Sequence, residues 1–366
     1  MRFAKHVAVL GAAVTMLAAP SAFAAEEKVL NIYNWSDYIA EDTIANFEKA
    51  TGIKVNYDVF DSNEVLEAKL MAGNTGYDVV VPSGSFLERQ IKAGIFRELD
   101  KGKLTNYGNL DKAILKRVAK HDPHNAHAIP YMWGTTGFGY NIKMAEERMP
   151  NAPVDSWDML FKPEVVAKFA DCGVTFLDAA GEVFPAALQY LGRNPNSEKK
   201  EDLDAAVKLI MAVRPYIKYF HSSQNINDLA NGEICVAMGW SGDMLIARDR
   251  ADEAGKGVEI AYTIPKEGAN IWFDLLAIPA DAKHPDNAHK FLNYIMEPEA
   301  VAAISNYVFY ANANAASTPY VDDDVKQDPG IYPTAEAKKN LFPSVVNSAK
   351  FDRLMNRAWT KIKSGQ

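Results

Sequence analysis

The chain has 366 residues, of which 48% are hydrophobic and 23% are charged, and its formal net charge is −8. A surplus of acidic side chains argues against binding to nucleic acids or to anionic membrane surfaces. It suits a cationic ligand, although acidic surfaces also serve solubility. The chain is longer than the size at which one hydrophobic core stops growing, so two lobes are expected.

The first 24 residues have the order of a secretory signal peptide. Arg2 and Lys5 give a basic start, residues 7–19 are apolar, and "AFA" at 22–24 predicts cleavage after Ala24. The apolar stretch is too short to span a bilayer, and an uncleaved membrane anchor is the alternative. Cleavage leaves 366 − 24 = 342 residues with a formal charge of 37 − 47 = −10, because two cations leave with the peptide. The mature protein is therefore expected to be soluble and exported.

The N-terminal part of the mature chain alternates strands and helices. The predicted elements are a strand at 28–35, a helix at 42–52, a strand at 53–60, a helix at 62–73, a strand at 77–82 and a helix at 85–94. Asp42 and either Ser62 or Asn63 are candidate N-caps, and Gly52 and Gly73 end their helices. This order predicts a parallel sheet with right-handed crossovers.

The middle of the chain continues in the same style. The predicted elements are a strand at 172–178, helices at 182–192, 203–213 and 227–232, strands at 233–240 and 270–279, and a helix at 285–296. Cys172 and Cys235 are the two cysteines, and an exported chain with an even cysteine count favours a disulfide. Two buried free thiols are the alternative.

Three tryptophans are each followed closely by an aspartate, in "NWSDY", "GWSGD" and "WFD". Asp37 and Asp243 come just after predicted strands, where ligands sit in open α/β sheets. Each aspartate could instead be a capping or turn residue. The spacing of Trp and Asp alone does not distinguish a ligand site from a capping role, since Trp157 and Asp158 form a similar pair at a predicted helix start.

Aromatic rings and carboxylates together suit an aliphatic polyamine. An ammonium is held by a carboxylate and by the face of an aromatic ring, and the methylene chain needs flat apolar walls. The histidines of "HDPHNAH" are expected to lie in a surface loop rather than to hold a metal. The sequence contains no phosphate loop and no specific catalytic motif, so an enzyme is disfavoured.

Long motifs in this chain resemble the periplasmic polyamine-binding proteins of bacterial ABC importers, with most similarity to the putrescine-binding type. The resemblance covers about residues 28–366. The motifs that carry it are "YNWSDYI", "TGIKVNYDVFDSNEVLEAKLMAG", "DVVVPS", "IPYMWGTTG", "NAPVDSWD", "YFHSS", "DLANGEICVA", "SGD", "YANANAA", "DPGIYP" and "RAWTKIKSGQ".

The resemblance implies an α/β, two-lobed periplasmic binding protein with two chain crossovers, a hinge and a ligand cleft. The lobes would comprise 28–133 plus 256–306, and 134–255 plus 307–366, with crossings at "WGTT" and near 306. It implies the Cys172–Cys235 disulfide, no cofactor and no metal, a polyamine ligand, an inner-membrane permease as partner and a monomeric carrier. The implied ligand-binding residues are Trp35, Ser36, Asp37, Tyr38, Ser83, Glu182, Trp240, Asp243, Trp272, Asp274 and Tyr310.

The sequence does not determine which polyamine is preferred. Trp272 stands where putrescine-type members often carry Phe, and it resembles spermidine-preferring relatives. Four acids against a diamine also leave surplus charge, which weakly favours a triamine such as spermidine. The alternatives are another cationic amine, a ligand-sensing partner of a membrane receptor, and a secreted polyamine-modifying enzyme on the same fold.

Overall fold

The computed structural model describes residues 26–365, so the predicted signal peptide lies outside the described residues. Eleven strands are found there: β1 (Val29–Trp35), β2 (Lys54–Phe60), β3 (Val79–Val80), β4 (Ala128–Asn141), β5 (Val174–Phe176), β6 (Ile217–Phe220), β7 (Val236–Trp240), β8 (Ile260–Thr263), β9 (Asn270–Ala277), β10 (Ala311–Asn312) and β11 (Phe342–Pro343).

The same range contains fifteen α-helices. They are α1 (Thr43–Thr51), α2 (Asn63–Ala72), α3 (Gly84–Lys92), α4 (Lys112–Val118), α5 (Ile142–Arg148), α6 (Asp158–Phe161), α7 (Pro163–Val166), α8 (Ala180–Tyr190), α9 (Lys200–Val213), α10 (Gln224–Ala230), α11 (Ser241–Ala254), α12 (Pro285–Ile295), α13 (Pro298–Val308), α14 (Asp323–Gln327) and α15 (Ala349–Ser364). Within residues 26–365, no helix combines the length and apolarity needed to cross a membrane.

The predicted N-terminal alternation is confirmed. β1 pairs in parallel with β2 and with β3, as the β-α-β-α-β order requires. Ser62 caps α2, because its side chain accepts a hydrogen bond from the Val65 amide. Asp42 occupies the N-cap position of α1 but its side chain makes no capping hydrogen bond there. Gly52 ends α1 in the left-handed conformation, with φ 70°.

The long strand β4 joins two groups of strands. Its first half pairs antiparallel with β9, which continues the sheet through β3 to β1 and β2. Its second half pairs antiparallel with β7 and β8, and β7 continues in parallel to β5 and β6. β4 changes its pairing partner between Thr135, which is opposite Ile271 of β9, and Thr136, which is opposite Trp240 of β7. This is the two-lobed arrangement expected from the sequence.

Two short strands pair outside the lobes to which the sequence assigns them. β8 pairs with the second half of β4, although residues 256–306 are expected in the first lobe. β10 pairs with Trp133 and Met132 in the first half of β4, although residues 307–366 are expected in the second. We therefore propose that the later crossings lie between β8 and β9 and between β11 and α15.

Each group of strands has its own buried core. The first includes Phe47, Leu66 and Phe291, and the second includes Trp157 and Phe176. The predicted disulfide between Cys172 and Cys235 is confirmed in the second core, with 5.6 Å between the two Cα atoms. It ties the residues before β5 to those before β7 across a separation of 63 residues.

The disulfide should stabilise the protein measurably. Closing a loop of this size is worth about 4 kcal/mol in the chain-entropy model. We expect the Cys172→Ala/Cys235→Ala protein to unfold at a lower temperature than the oxidised protein, as measured by circular dichroism. The reduced wild type should match the double variant. Equal unfolding midpoints for the oxidised wild type and the variant would contradict this expectation.

Candidate ligand-binding site

A narrow cavity lies between the two groups of strands and collects residues from both. Ten of the eleven residues that the sequence singles out line it: Trp35, Ser36, Tyr38, Ser83, Glu182, Trp240, Asp243, Trp272, Asp274 and Tyr310. They come from the end of β1, the start of α3, the first turn of α8, the junction of β7 with α11, the middle of β9 and the residue before β10.

Aromatic rings form the walls of this cavity. Trp35 and Trp240 meet edge to face from opposite lobes, with 5.5 Å between their ring centroids. Tyr310 packs edge to face against both Tyr38 and Trp272, at 5.0 and 5.4 Å. The indole N–H of Trp35 donates to the Val81 carbonyl, so its polar edge is bonded within the protein. Such walls suit an apolar chain and, through their faces, a cation.

Two glycines make room for these rings. A Cβ on Gly134 of β4 would lie 2.8 Å from the Trp272 ring and 2.7 Å from the Ser241 hydroxyl. A Cβ on Gly242, in the first turn of α11, would lie 2.3 Å from the Tyr310 ring. At contacts this short, any side chain at either position would force the neighbouring groups to move. The positions of Trp272 and Tyr310 therefore depend on glycine at both places.

Two aspartates are held by tyrosine hydroxyl groups. The Tyr310 hydroxyl donates to Asp243 at 2.7 Å, and the Tyr38 hydroxyl donates to Asp274 at 2.9 Å. The Ser83 hydroxyl also donates to Asp274, at 2.5 Å. Burial, followed by the charge of the adjacent aspartate, raises the pKa of both tyrosines well above the usual value. The hydroxyls therefore stay protonated and keep donating.

Glu182 supplies the third carboxylate of the cavity. It lies in the first turn of α8 and accepts hydrogen bonds from the Thr136 hydroxyl at 2.7 Å and from the Asn270 amide at 3.0 Å. Thr136 belongs to β4, which joins the lobes, and Asn270 is the first residue of β9, next to the crossing proposed between β8 and β9. Glu182 is therefore fixed from the hinge side of the cavity.

Burial dominates the electrostatics of these acids. Desolvation raises the pKa of Asp243, Asp274 and Glu182 to about 7 each, although hydrogen bonds act in the opposite direction. Asp243 and Asp274 are buried and Glu182 is half-buried, and carboxylates gathered in such a place are costly unless positive charges are brought to them. The cavity therefore suits a slender ligand with an apolar middle and at least two positive charges.

Asp37 differs from the other predicted residues because it does not line the cavity. Its carboxylate is paired with the guanidinium of Arg250 in α11, and its side chain is 29% exposed. Because Asp37 follows β1 and Arg250 belongs to the other lobe, this ion pair joins the lobes beside the cavity.

Sequence reasoning missed three contributors. Asn63 and Ser222 line the cavity, and Asn63 exchanges hydrogen bonds with Ser83. In the sequence, Asn63 is recognisable only as a candidate helix cap, and Ser222 carries no signal of its own within the motif "YFHSS". Arg250 lies 213 residues from Asp37, and no local pattern connects the two.

Two lobes with an acidic, aromatic-lined cavity between them define a solute-binding protein. The chain belongs to the bacterial extracellular solute-binding protein family, whose model matches residues 42–334. It is 58% identical over 364 residues to the putrescine-binding periplasmic protein PotF of Escherichia coli, covering 99% of this chain and 98% of that one. It is 54% identical over 366 residues to the putrescine-binding periplasmic protein SpuD of Pseudomonas aeruginosa, covering 100% and 99%.

The fold has close counterparts among solved structures. A putative spermidine/putrescine ABC transporter protein from Listeria monocytogenes superposes with a TM-score of 0.83 at 33% identity, covering 93% of this chain and 100% of that chain. The family resemblance, the two-lobed fold and the assignment to binding proteins rather than enzymes are thereby confirmed.

The raised pKa values predict a specific pH dependence of stability. Since each folded pKa lies above its unfolded value, each carboxyl contributes stability that is complete below about pH 4 and is lost as the pH rises through about 7. Asp243→Asn removes one such group. After refolding without ligand, its thermal unfolding midpoint should fall less than that of the wild type between pH 5 and pH 8.

Asp204→Asn provides the matched control for this experiment. Asp204 is an acid on α9 whose side chain is 60% exposed and lies outside the cavity. Its pH dependence should follow the wild type. Parallel curves for all three proteins would show that Asp243 does not titrate as its burial requires.

Proposed function

We propose that the protein captures an aliphatic polyamine, putrescine or spermidine, in the narrow cavity and delivers it to the permease of an ABC importer in the inner membrane. The observation that carries the proposal is the set of three carboxylates between aromatic walls, of which Asp243 and Asp274 are buried and Glu182 is half-buried. The similar proteins described above, which are putrescine-binding proteins or part of a spermidine/putrescine transporter, support the same ligand class.

The cavity matches a polyamine group by group. One ammonium would pair with Asp243 and a second with Glu182, while Asp274 lies near enough to interact with both acids. The methylenes between them would lie against Trp35, Trp240 and the other rings. Amines with a pKa near that of lysine stay charged at neutral pH and restore the ionised form of the acids.

Counting the acids that face the cavity changes the charge balance. Asp37 is satisfied by Arg250, so three carboxylates remain rather than four. A diamine would leave one of them to hold a proton, which a pKa of about 7 permits. A triamine would neutralise all three. The cavity is therefore suited to both, and the surplus of acid no longer argues strongly against putrescine.

Closure of the lobes would accompany binding. Trp35 and Asp37 belong to the first lobe, whereas Trp240 and Arg250 belong to the second. A ligand that contacts both lobes favours the closed state by the difference in its affinity for the two states. The permease would then recognise the closed form. The protein would act as a monomer in the periplasm, after export by its cleavable signal peptide.

Asp243→Asn tests the ligand assignment. Removing one member of a buried, hydrogen-bonded charge pair costs about 3 kcal/mol, so putrescine affinity should fall roughly a hundredfold. Titration calorimetry on protein refolded without ligand measures this, since a retained amine would mask the change. Asp204→Asn should bind like the wild type. An unchanged affinity in the Asp243 variant, with normal circular dichroism, would refute the assignment.

A double-mutant cycle tests the role of Asp37. If Asp37 acts through Arg250, then Asp37→Asn and Arg250→Gln should each weaken putrescine binding by a similar factor. The two side chains are 29% and 34% exposed, so the expected loss is no more than about 1 kcal/mol, or about fivefold. The double variant should lose little more than either single variant. A much larger loss for Asp37→Asn alone would indicate a direct contact with the ligand.

A further inference from the structure

A second, wider cavity opens directly from the ligand site. Its volume is about 620 Å³, and it runs between α2 and α3 of one lobe and α8 and α15 of the other. Six residues line both cavities: Trp35, Asn63, Ser83, Glu182, Trp240 and Trp272. A ligand longer than the narrow cavity can therefore extend past Glu182 into the wide one.

Glu64 lies on this route. It follows Asn63, which lines both cavities and is hydrogen-bonded to Ser83, and Ser83 in turn holds Asp274. Glu64 itself lines only the wide cavity. Asp243 and Asp274 line only the narrow one, so the carboxylates form a row from Asp243 and Asp274 through Glu182 to Glu64.

Glu64 is an exposed residue that lines the wide cavity, where solvent and a ligand can both reach its carboxylate. Among residues 26–365, no lysine, arginine or histidine lies within ion-pair distance of it. The surrounding protein desolvates the group and raises its pKa. The charge of Glu64 also adds to the larger effect of burial in raising the pKa of Glu182, which shows that the two acids influence each other. A cation bound between or beside the two carboxylates would lower the pKa of both.

The only arginine that lines the wide cavity within the described chain is already matched by acids. Arg89 binds Glu67 through two hydrogen bonds of 2.5 Å and reaches Asp352 of α15 at 3.4 Å. This group of one cation and two anions carries a net negative charge. The wide cavity is thus acidic overall and offers no unmatched arginine charge that would repel an ammonium.

We propose that the wide cavity receives the terminal arm of a triamine, and that Glu64 binds its third ammonium and so distinguishes triamines from diamines. The inference rests on the proposed function, because the first two ammoniums occupy the narrow cavity. A diamine ends at Glu182 and does not reach Glu64. Glu64 therefore affects the choice between polyamines without contacting putrescine.

Three ligands and two variants test the extension by titration calorimetry. The ligands are putrescine, spermidine and N-propylputrescine, which keeps the shape of spermidine but lacks its terminal ammonium. The wild type should bind spermidine about tenfold more tightly than N-propylputrescine, as a charge-assisted contact that is open to solvent requires. Glu64→Gln should abolish that difference and change putrescine binding far less, because Glu64 has only the smallest of the effects that shift the pKa of Glu182. Glu147→Gln, at a side chain that is 73% exposed and outside both cavities, controls for net charge.

The outcomes separate the two levels of the proposal. Wild-type protein that binds none of the amines overturns the proposed function itself. Putrescine binding with no preference for spermidine over N-propylputrescine overturns only the extension. A Glu64→Gln variant that loses putrescine and spermidine affinity equally also overturns it, because Glu64 would then act on closure rather than on the third ammonium.

Discussion

The gathering of three carboxyl groups in one cavity between the lobes is the constraint on which the site depends. Asp243 and Asp274 are buried and Glu182 is half-buried, and each is compensated only in part by hydrogen bonds from hydroxyl and amide groups. Those bonds satisfy lone pairs but bring no positive charge. The cavity is thus organised around charge that a ligand must supply, which makes affinity and selectivity two aspects of one electrostatic requirement.

Interactions between the lobes surround this cavity on more than one side. Trp35 meets Trp240 over it, Asp37 pairs with Arg250 beside it, and Arg89 reaches Asp352 at the edge of the wide cavity. Each links the two lobes, and the partly exposed ion pairs are individually weak. Weak contacts of this kind are appropriate for a carrier, because strong ones would hold the lobes together regardless of the ligand and would hinder release.

Much of the fold was predictable from local patterns. Up to α3, the helix caps, the glycines that end helices and the apolar periodicity all predict the same alternation of strands and helices. The structure confirms it as the parallel pairing of β1 with β2 and β3. β4 was not recognised as a strand, since glycines at 134, 137 and 139 weaken any strand pattern. Contacts with other parts of the fold explain why glycine stands at these positions. A Cβ at Gly137 would lie 2.1 Å from the Thr263 carbonyl of β8, and one at Gly139 would lie 2.6 Å from the Met244 sulfur.

The sequence by itself determined the chemistry of the site, because residue types decide which charges and rings are available, and the family motifs place Trp35, Asp243, Asp274 and Glu182 within it. Only the tertiary structure decided how those groups are used. Asp37 looks identical to Asp243 in its local setting after a strand, yet one is neutralised by Arg250 and the other faces the cavity. That distinction depends on which helix of the other lobe lies opposite. Local sequence carries no record of a contact between residues 213 positions apart.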